Sequence, residues 1–257
     1  MTVVGMIPAR YAATRLPGKV LADIGGKPML QHVYERALRA TTLREVIIAT
    51  DDPRIAEAVR GFGGQVAMTS TEHKSGTDRL AEVAKGRECD IVANIQGDEP
   101  LIDPSIIDRA VQPLLDDPTV RMATLATRAT AQEWAAASVV KVVCDGAGNA
   151  LYFSRRQIPY FRLDDPAQET ALAGDLVHPV SGCRPLKHIG LYVYRRETLL
   201  WFAGLPRGVL EATESLEQLR VLENGCPIRV VEVDASPIGV DTPEDLETVR
   251  KLVEAQQ

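Results

Sequence analysis

An α/β fold with a mostly parallel sheet is predicted by the pattern of apolar residues in this chain of 257 residues. Before residue 116, short apolar runs alternate with amphipathic stretches, which is typical of parallel strands joined by crossover helices. The run at residues 91–95 is almost wholly apolar, as expected of a central strand buried on both faces. Right-handed crossovers would bring the carboxyl ends of these strands to one edge of the sheet, where ligands bind in such folds.

The first half of the chain is predicted to contain four strands, each followed by a helix. The short apolar runs that predict strands cover residues 2–7, 46–49, 66–68 and 91–95. Proline in the first turn, or a capping side chain before it, marks the starts of the helices. The predicted helices cover residues 28–38, 52–60, 76–85 and 103–114.

After residue 118 the alternation is less regular. Strands are predicted at residues 122–127, 139–144, 189–194 and 228–233. Helices are predicted at residues 197–202 and 212–223, the second from leucines at 216, 219 and 222. Thr242, Pro243 and Asp245 form the capping box of a last helix, which runs to the C-terminus. Residues 162–186 are rich in Asp, Pro and Gly and predict a long loop or flap.

Charge and composition exclude several classes of protein. A formal net charge of -6, a pI of about 5.4 and 45% hydrophobic residues predict a soluble globular protein without broad nucleic-acid binding. No apolar run approaches the roughly 20 residues that span a bilayer, and the start lacks a basic region followed by an apolar one. We therefore expect a cytoplasmic protein with no membrane insertion. The four cysteines are far apart, which favours buried thiols over a zinc site or a disulfide framework.

The loop after the first predicted strand reverses the sign of the overall charge. Arg10, Arg15 and Lys19 are its cations, and no acid occurs between residues 8 and 22. Because proline and glycine bend this loop, the cations can converge on a polyphosphate, although a solvated surface loop is the alternative. The loop is not a P-loop, since Gly18-Lys19 is followed by Val20, and no dinucleotide-binding fingerprint follows the strand.

Two acids and one helix start complete the set of candidate site residues. Asp98 comes directly after the central strand, and Asp241 directly precedes the last helix. Each could simply close a turn, but together they could hold a hard cation such as Mg²⁺. Ser75 and Gly76 open a helix, where free backbone amides could receive a base or an anion, or where Ser75 could be an ordinary N-cap.

Eight stretches, taken together, resemble the 3-deoxy-manno-octulosonate cytidylyltransferases over nearly the full length. They read IPARYAATRLPGKVL, HKSGTDRLAEV, NIQGDEPLI, VVKVV, LYFSRRQIP, KHIGLYVYR, ESLEQLRVLE and GVDTPEDL. The first and third are shared more loosely with other sugar nucleotidyltransferases, and LYFSR, KHIGLY and SLEQLR narrow the resemblance. The chain departs from the family at Ala137-Ser138, where Pro-Asn is usual, and at residues 163–186.

The resemblance implies a three-layer α/β/α nucleotidyltransferase fold, Rossmann-like, with a mostly parallel mixed sheet. It implies one domain over residues 1–257 that contains a smaller sugar-binding and dimerisation subregion at about residues 120–195. It also implies the transfer of CMP from CTP to 3-deoxy-D-manno-octulosonate (Kdo) for lipopolysaccharide biosynthesis, with Mg²⁺ as cofactor and a homodimer as the assembly.

Roles for individual residues follow from the same resemblance. The catalytic residues would be Arg15, Lys19 and Asp98, and the metal ligands Asp98 and Asp241. The residues expected to bind the nucleotide are Pro8, Ala9, Arg10, Arg15, Lys19, Ser75, Gly76, Gln96 and Asp98. The residues expected to bind the sugar are Arg155, Arg156, His188, Tyr192, Glu214 and Gln218. His188 could instead be structural, and Glu214 could be a solvated residue on a helix face.

Two other functions remain open from the sequence. One is a cytidylyltransferase for a related acidic sugar, such as 8-amino-Kdo or an acylneuraminate. The other is a non-catalytic nucleotide-binding relative, although a retired site would need neither the cations nor the acids. A glycosyltransferase is disfavoured, because no acid-x-acid metal motif follows the central strand.

Overall fold

The chain folds into two compact units. The structure, a computed structural model, describes residues 1–12, 16–162, 176–178, 181–234 and 237–255. The first unit comprises Met1–Pro118, Leu191–Gly204 and Pro237–Gln257, and the second comprises Thr119–Gly190 and Leu205–Ser236. Most of the expected flap at residues 162–186 lies outside the described residues.

The strands and helices are named here in chain order. The strands are β1 (Val3–Ala9), β2 (Asp23–Ile24), β3 (Lys27–Pro28), β4 (Glu45–Thr50), β5 (Val66–Met68), β6 (Ile91–Asn94), β7 (Met122–Arg128), β8 (Lys141–Cys144), β9 (Ala150–Ser154), β10 (Leu186–Arg195) and β11 (Arg229–Glu232). The helices are α1 (Met29–Ala37), α2 (Pro53–Gly61), α3 (Gly76–Lys85), α4 (Pro104–Asp116), α5 (Ala131–Ala135), α6 (Arg196–Gly204), α7 (Val209–Glu214), α8 (Leu219–Glu223) and α9 (Pro243–Glu254).

A parallel sheet forms the centre of the first unit. Its strands neighbour one another in the order β6-β1-β4-β5, and residues 192–195 of β10 pair with β6 in the antiparallel direction. Nearly every residue of β1 is buried, which explains why this strand reads as a continuous apolar run. Helix α3 packs against α6 and α1 against α4, while α9 joins Ile24 and Met29 in an apolar cluster.

The second unit has a mixed arrangement of strands. Strand β11 runs parallel to β7, while β8 is antiparallel to both β9 and the start of β10. The side chain of Lys141 in β8 is buried, and its Nζ donates hydrogen bonds to the carbonyl oxygens of Ala136, Val139 and Arg155 at 2.6 to 2.9 Å. Three acceptors satisfy the three N–H donors of this ammonium. Lys141 therefore ties β8 to the segment before it and to the residue that follows β9.

The sequence predicted most of these elements within two residues at each end. Helix α3 has the predicted bounds, and the capping boxes of Ser75 with Asp78 and of Thr242 with Asp245 are both formed. The short hairpin of β2 and β3 and the strand β9 were not predicted. Within the described residues, no helix is both long and apolar enough to cross a membrane.

One predicted helix, residues 212–223, is wrong. The chain forms α7 and α8 instead, and Ser215 between them has a left-handed backbone with φ 55°. The buried guanidinium of Arg220 binds the carboxylate of Glu211 with two hydrogen bonds of 2.6 Å. On one continuous helix these residues would lie about 13.5 Å apart along the axis and on opposite faces. The ion pair therefore requires the break, and the leucine spacing could not reveal it.

Candidate active site

Lys19 joins two acids that are distant from each other in the sequence. Its Nζ donates hydrogen bonds to Asp98 Oδ2 at 2.7 Å, to Asp241 Oδ1 at 3.0 Å and to the carbonyl oxygen of Val240 at 2.9 Å. Lys19, Asp98 and Asp241 are all predicted site residues, and the first unit brings them together. We call these three residues the Lys19 cluster.

Backbone contacts fix the two acids side by side. Asp98 follows β6, and its carbonyl oxygen accepts a hydrogen bond of 2.9 Å from the amide of Val240. Asp241 directly precedes the N-cap of α9, and its amide donates to Asp245 Oδ2 at 3.0 Å. The capping box that the sequence predicts therefore also positions the acid in front of it.

Gly18 sets the direction from which Lys19 approaches the acids. Its φ of 71° lies in the left-handed region that glycine adopts without strain, and a short 3₁₀ turn, Lys19–Leu21, follows it. Its amide donates to the carbonyl oxygen of Tyr11 at 2.8 Å, and an added β-carbon would lie only 3.1 to 3.2 Å from the Tyr11 side chain. Both observations explain the glycine in this position.

The electrostatics of the cluster favour a charged ammonium. Burial acts to lower the pKa of Lys19, but the charges of Asp98 and Asp241 and their hydrogen bonds outweigh it, so the pKa is raised. The side chain of Lys19 is 14% exposed, whereas those of Asp98 and Asp241 are 32% and 50% exposed. The acids are thus open to solvent while the cation between them is largely covered.

A cavity of about 260 Å³ is lined in part by the same cluster. Its lining residues are Pro8, Arg10, Ala12, Lys19, Val20, Gly76, Gln96, Gly97 and Asp98. The structure thus gathers Pro8, Arg10, Lys19, Gly76, Gln96 and Asp98, all predicted to contact the nucleotide. The cavity lies where β1 and β6 end, which is the edge predicted for a ligand.

The start of α3 is held close to the end of β1. The guanidinium of Arg10 donates to the carbonyl oxygens of Lys74 at 2.9 Å and His73 at 3.4 Å. Ser75 Oγ accepts a hydrogen bond of 3.1 Å from the amide of Asp78, so Ser75 serves as the N-cap of α3. An added β-carbon on Gly76 would come within 3.3 Å of the Pro8 ring, which explains the glycine there.

Glu99 is a further candidate active-site residue, which was not predicted from the sequence. Its Oε2 is buried and accepts no hydrogen bond from the described residues. Burial, and then the neighbouring charge of Asp98, raise the pKa of Glu99 to about 8. The only indication in the sequence was that Glu99 directly follows Asp98 in QGDEP. This position could not show that the carboxyl group of Glu99 is buried.

In the second unit, two predicted sugar-binding residues contact each other. Glu214 Oε1 accepts a hydrogen bond of 2.6 Å from the Ser154 hydroxyl, and Oε2 accepts one of 3.1 Å from the Arg155 amide. Arg155 Nε donates to the carbonyl oxygen of Glu214 at 3.1 Å. Burial acts to raise the pKa of Glu214, but these hydrogen bonds outweigh it and lower the pKa. We call Ser154, Arg155 and Glu214 the Glu214 cluster.

The other predicted sugar-binding residues have different surroundings. Burial lowers the pKa of His188 to about 3, and its Nε2 lies 2.9 Å from Thr124 Oγ1. Gln218 is 4% exposed, whereas Arg156 is exposed. Tyr192 belongs to the first unit, where it pairs with Asn94 and its ring stacks on Tyr194.

Two described residues predicted to bind the nucleotide, Ala9 and Ser75, are not among those that line the cavity. Ala9 is fully buried within β1, where it pairs with Thr50. Arg15 lies outside the described residues.

Comparisons with known proteins agree on one family. The cytidylyltransferase family model matches residues 4–232. A 3-deoxy-manno-octulosonate cytidylyltransferase of Geobacter sulfurreducens is 56% identical, with 97% of this chain and 98% of the relative covered. One of Pelobacter propionicus is 54% identical, with 100% and 99% covered.

Solved structures bear out the fold. The structure of a CMP:2-keto-3-deoxy-manno-octonic acid synthetase complexed with CTP matches with a TM-score of 0.90 and 47% identity, and covers 100% of both chains. A cytidylyltransferase of Leptospira borgpetersenii matches with a TM-score of 0.65 at 18% identity and over 99% of this chain and 87% of its own, which supports the fold alone. The predicted three-layer α/β/α nucleotidyltransferase fold is confirmed. The chain belongs to the cytidylyltransferase family, and within it to the 3-deoxy-manno-octulosonate cytidylyltransferases.

Proposed function

We propose that this chain transfers CMP from CTP to the anomeric hydroxyl of Kdo and releases pyrophosphate, the activation step that precedes the use of Kdo in lipopolysaccharide. The observation that carries the proposal is the Lys19 cluster at the end of β6, beside a cavity that also contains Arg10. Cations for a triphosphate and acids for a hard cation meet there. The names of the relatives supply the nucleotide and the sugar.

Asp98 and Asp241 are the residues that would hold Mg²⁺. Their carboxylates come from separate segments and converge on one cation, Lys19 Nζ, which supports the proposal that they share a metal ion. Among the described residues, no three His, Cys, Asp or Glu side chains are placed so that together they could hold a metal ion. Two carboxylates suit Mg²⁺, because substrate phosphates and water usually complete its coordination. When bound, Mg²⁺ supplies positive charge to the triphosphate and lowers the pKa of the attacking hydroxyl.

The basic residues supply the rest of the charge stabilisation. In the reaction the anomeric oxygen forms a bond to the α-phosphorus, the bond from that phosphorus to pyrophosphate breaks, and the hydroxyl proton passes to solvent. Negative charge grows on the phosphate oxygens as this happens. Arg10 and Lys19 line the cavity and neutralise that charge, and Arg15 adds to them. For Lys19 to face the phosphates, its ammonium must exchange carboxylate partners for phosphate oxygens.

The residues assigned to Kdo are Arg155, Arg156, His188, Tyr192, Glu214 and Gln218. Arginine suits the sugar carboxylate, because a guanidinium can bind both oxygens at once. Arg156 is exposed, and only its backbone amide has a hydrogen bond, to Ser154 Oγ, among the contacts of the described residues. Arg156 is therefore the arginine whose guanidinium can bind the sugar carboxylate without first giving up hydrogen bonds to other described residues. The burial that holds His188 neutral makes it a hydrogen-bonding residue rather than a source of charge.

Purified protein incubated with CTP, Mg²⁺ and one sugar at a time tests the proposal. The sugars are Kdo, 8-amino-Kdo and an N-acylneuraminate, with pyrophosphate release and the CMP-sugar product as readouts. We expect Kdo to give the highest kcat/KM, since specificity is the ratio of these values. Higher kcat/KM with another sugar would reassign the substrate. Binding of CTP without product from any sugar would instead identify a non-catalytic relative.

A cytoplasmic homodimer completes the proposal, with its contact among residues 120–195. The soluble substrates and the composition support this location. Sedimentation equilibrium should give twice the mass of the 28.0 kDa chain. A single-chain mass at micromolar concentration would contradict the dimer.

A further inference from the structure

Arg54, a residue at the start of α2, stacks on a side chain of the opening loop. Its guanidinium carbon lies 3.4 Å from the centroid of the Tyr11 ring, well inside the range of a cation–π interaction. The side chain of Arg54 is 59% exposed, so burial of apolar surface does not account for its placement.

A carboxylate fixes the guanidinium in this orientation. Arg54 Nε and Nη2 donate to the two oxygens of Asp52 at 2.9 and 2.7 Å. Asp52 is the N-cap of α2 and also accepts a hydrogen bond of 2.9 Å from the Arg54 amide. Since Asp52 follows β4, the orientation of Arg54 is set by the edge of the central sheet. The hydrogen bonds to Asp52 raise the pKa of Arg54, although a guanidinium is cationic at neutral pH in any case.

Tyr11 connects Arg54 to the residues around the cavity. It directly follows Arg10, its carbonyl oxygen accepts the hydrogen bond from Gly18, and its ring lies against Gly18, the residue before Lys19. Tyr11 and Gly18 therefore contact each other through both the backbone and the side chain of Tyr11. A continuous series of described contacts leads from Asp52 to Arg54, Tyr11 and Gly18, the residue before Lys19.

We infer that Arg54 is a positioning residue for CTP, which acts through Tyr11 and Gly18 to hold Arg10 and Lys19 in place for the triphosphate. The inference rests on the proposed function, because its readout is the affinity for CTP. Without the stack, the placement of Arg10 and Lys19 that binds CTP is populated for a smaller fraction of the time, and the apparent affinity falls by that fraction. A cation–π interaction at an exposed site corresponds to about a two- to fivefold change.

The test compares Arg54→Met with Arg60→Met, an exposed arginine of the same helix whose side chain makes no hydrogen bond or ion pair with the described residues. We expect Arg54→Met to raise the Kd and KM for CTP about two- to fivefold. We expect kcat, the KM for the sugar and the Tm to stay near those of the wild type, and Arg60→Met to change none of these. Arg54→Lys, which keeps a cation near the ring, should restore part of the affinity.

A double-mutant cycle with Tyr11→Leu isolates the contact. If Arg54 acts through Tyr11, the effects on the Kd for CTP are not independent, and Arg54→Met has little further effect in the Tyr11→Leu background. The same affinity in Arg54→Met as in the wild type would overturn the inference, as would a fall in Tm or kcat at constant KM, which indicates a merely structural role. Wild-type protein that binds no CTP at all would overturn the proposed function instead.

Discussion

The Lys19 cluster and the Glu214 cluster both place a carboxylate among hydrogen-bond donors, but the donors differ. Asp98 and Asp241 meet one ammonium on a flexible stem, and each uses one oxygen for it. Both oxygens of Glu214 are engaged, one by the Ser154 hydroxyl and one by the Arg155 amide. The first arrangement has a partner that can move, whereas the second is built largely from fixed groups.

The two clusters therefore differ in whether the carboxylate can exchange its hydrogen-bonding partner or is held in place by it. An ion pair that is partly open to solvent contributes little to stability, so its members can exchange partners at low cost. Hydrogen-bond donors that are left without an acceptor cost much more. We therefore expect substitutions in the Lys19 cluster to change activity alone, and substitutions in the Glu214 cluster to change stability in addition to the binding of Kdo.

The largest effect should come from Asp98→Asn. The substitution keeps the shape of the side chain but removes one of the two charges that hold the cation. We expect kcat/KM to fall at least about 100-fold, or about 2.7 to 4 kcal/mol in transition-state stabilisation, as for other preorganised charge contacts. The Tm should barely move, because the side chain is 32% exposed. Asp116→Asn, at the exposed end of α4, is the matched control. A large loss of Tm with normal turnover would mean that Asp98 merely closes a turn.

The next effect concerns Glu214→Ala, which leaves the Ser154 hydroxyl and the Arg155 amide without their acceptor. We expect the free energy of unfolding, measured with urea, to fall by about 1 to 3 kcal/mol. Glu214→Gln should lose less, because its amide oxygen can still accept one of the two hydrogen bonds. If Glu214→Ala unfolds at the wild-type urea concentration and only raises the KM for Kdo, Glu214 acts in substrate binding alone and does not stabilise the fold.

The effect that is smallest at neutral pH should appear in the pH dependence of stability. The pKa of His188 is about 3 in the folded protein, below its ordinary value, so the unfolded chain takes up a proton that the folded chain does not. The contribution of His188 is therefore complete above about pH 6.5 and is lost as the pH falls toward 3. Below pH 6 its slope approaches about 1.4 kcal/mol per pH unit. His188→Gln should remove that slope between pH 6 and 4.5, and an unchanged slope would show that His188 is protonated in the folded protein.

The sequence predicted the local structure better than the contacts between distant segments. The starts of the helices that follow Asp52, Ser75, Asp103 and Thr242 were predicted, because each of these side chains acts on its own helix. The failure at residues 212–223 arose because the ion pair of Arg220 with Glu211 is a tertiary contact that overrides the leucine spacing.

The candidate site shows the same division. Motifs identified Lys19, Asp98 and Asp241, but not that the lysine would bind both acids, since that depends on the backbone contact of Val240 with Asp98. Arg54 carries no motif, and only the fold places it over Tyr11. Properties that depend on burial, such as the raised pKa of Glu99, likewise need the structure.

According to this account, Asp98 and Asp241 form a cation site that the Lys19 ammonium occupies in the nucleotide-free protein. The affinity of the nucleotide-free protein for Mn²⁺, titrated by electron paramagnetic resonance, tests it most directly. A unit charge about 4 Å away interacts with about 1 to 4 kcal/mol near a protein surface, so Lys19→Met should bind Mn²⁺ at least about fivefold more tightly than the wild type. Lys27→Met, which removes a lysine paired with Glu35, should leave the affinity unchanged. Equal or weaker Mn²⁺ binding by Lys19→Met would contradict the claim.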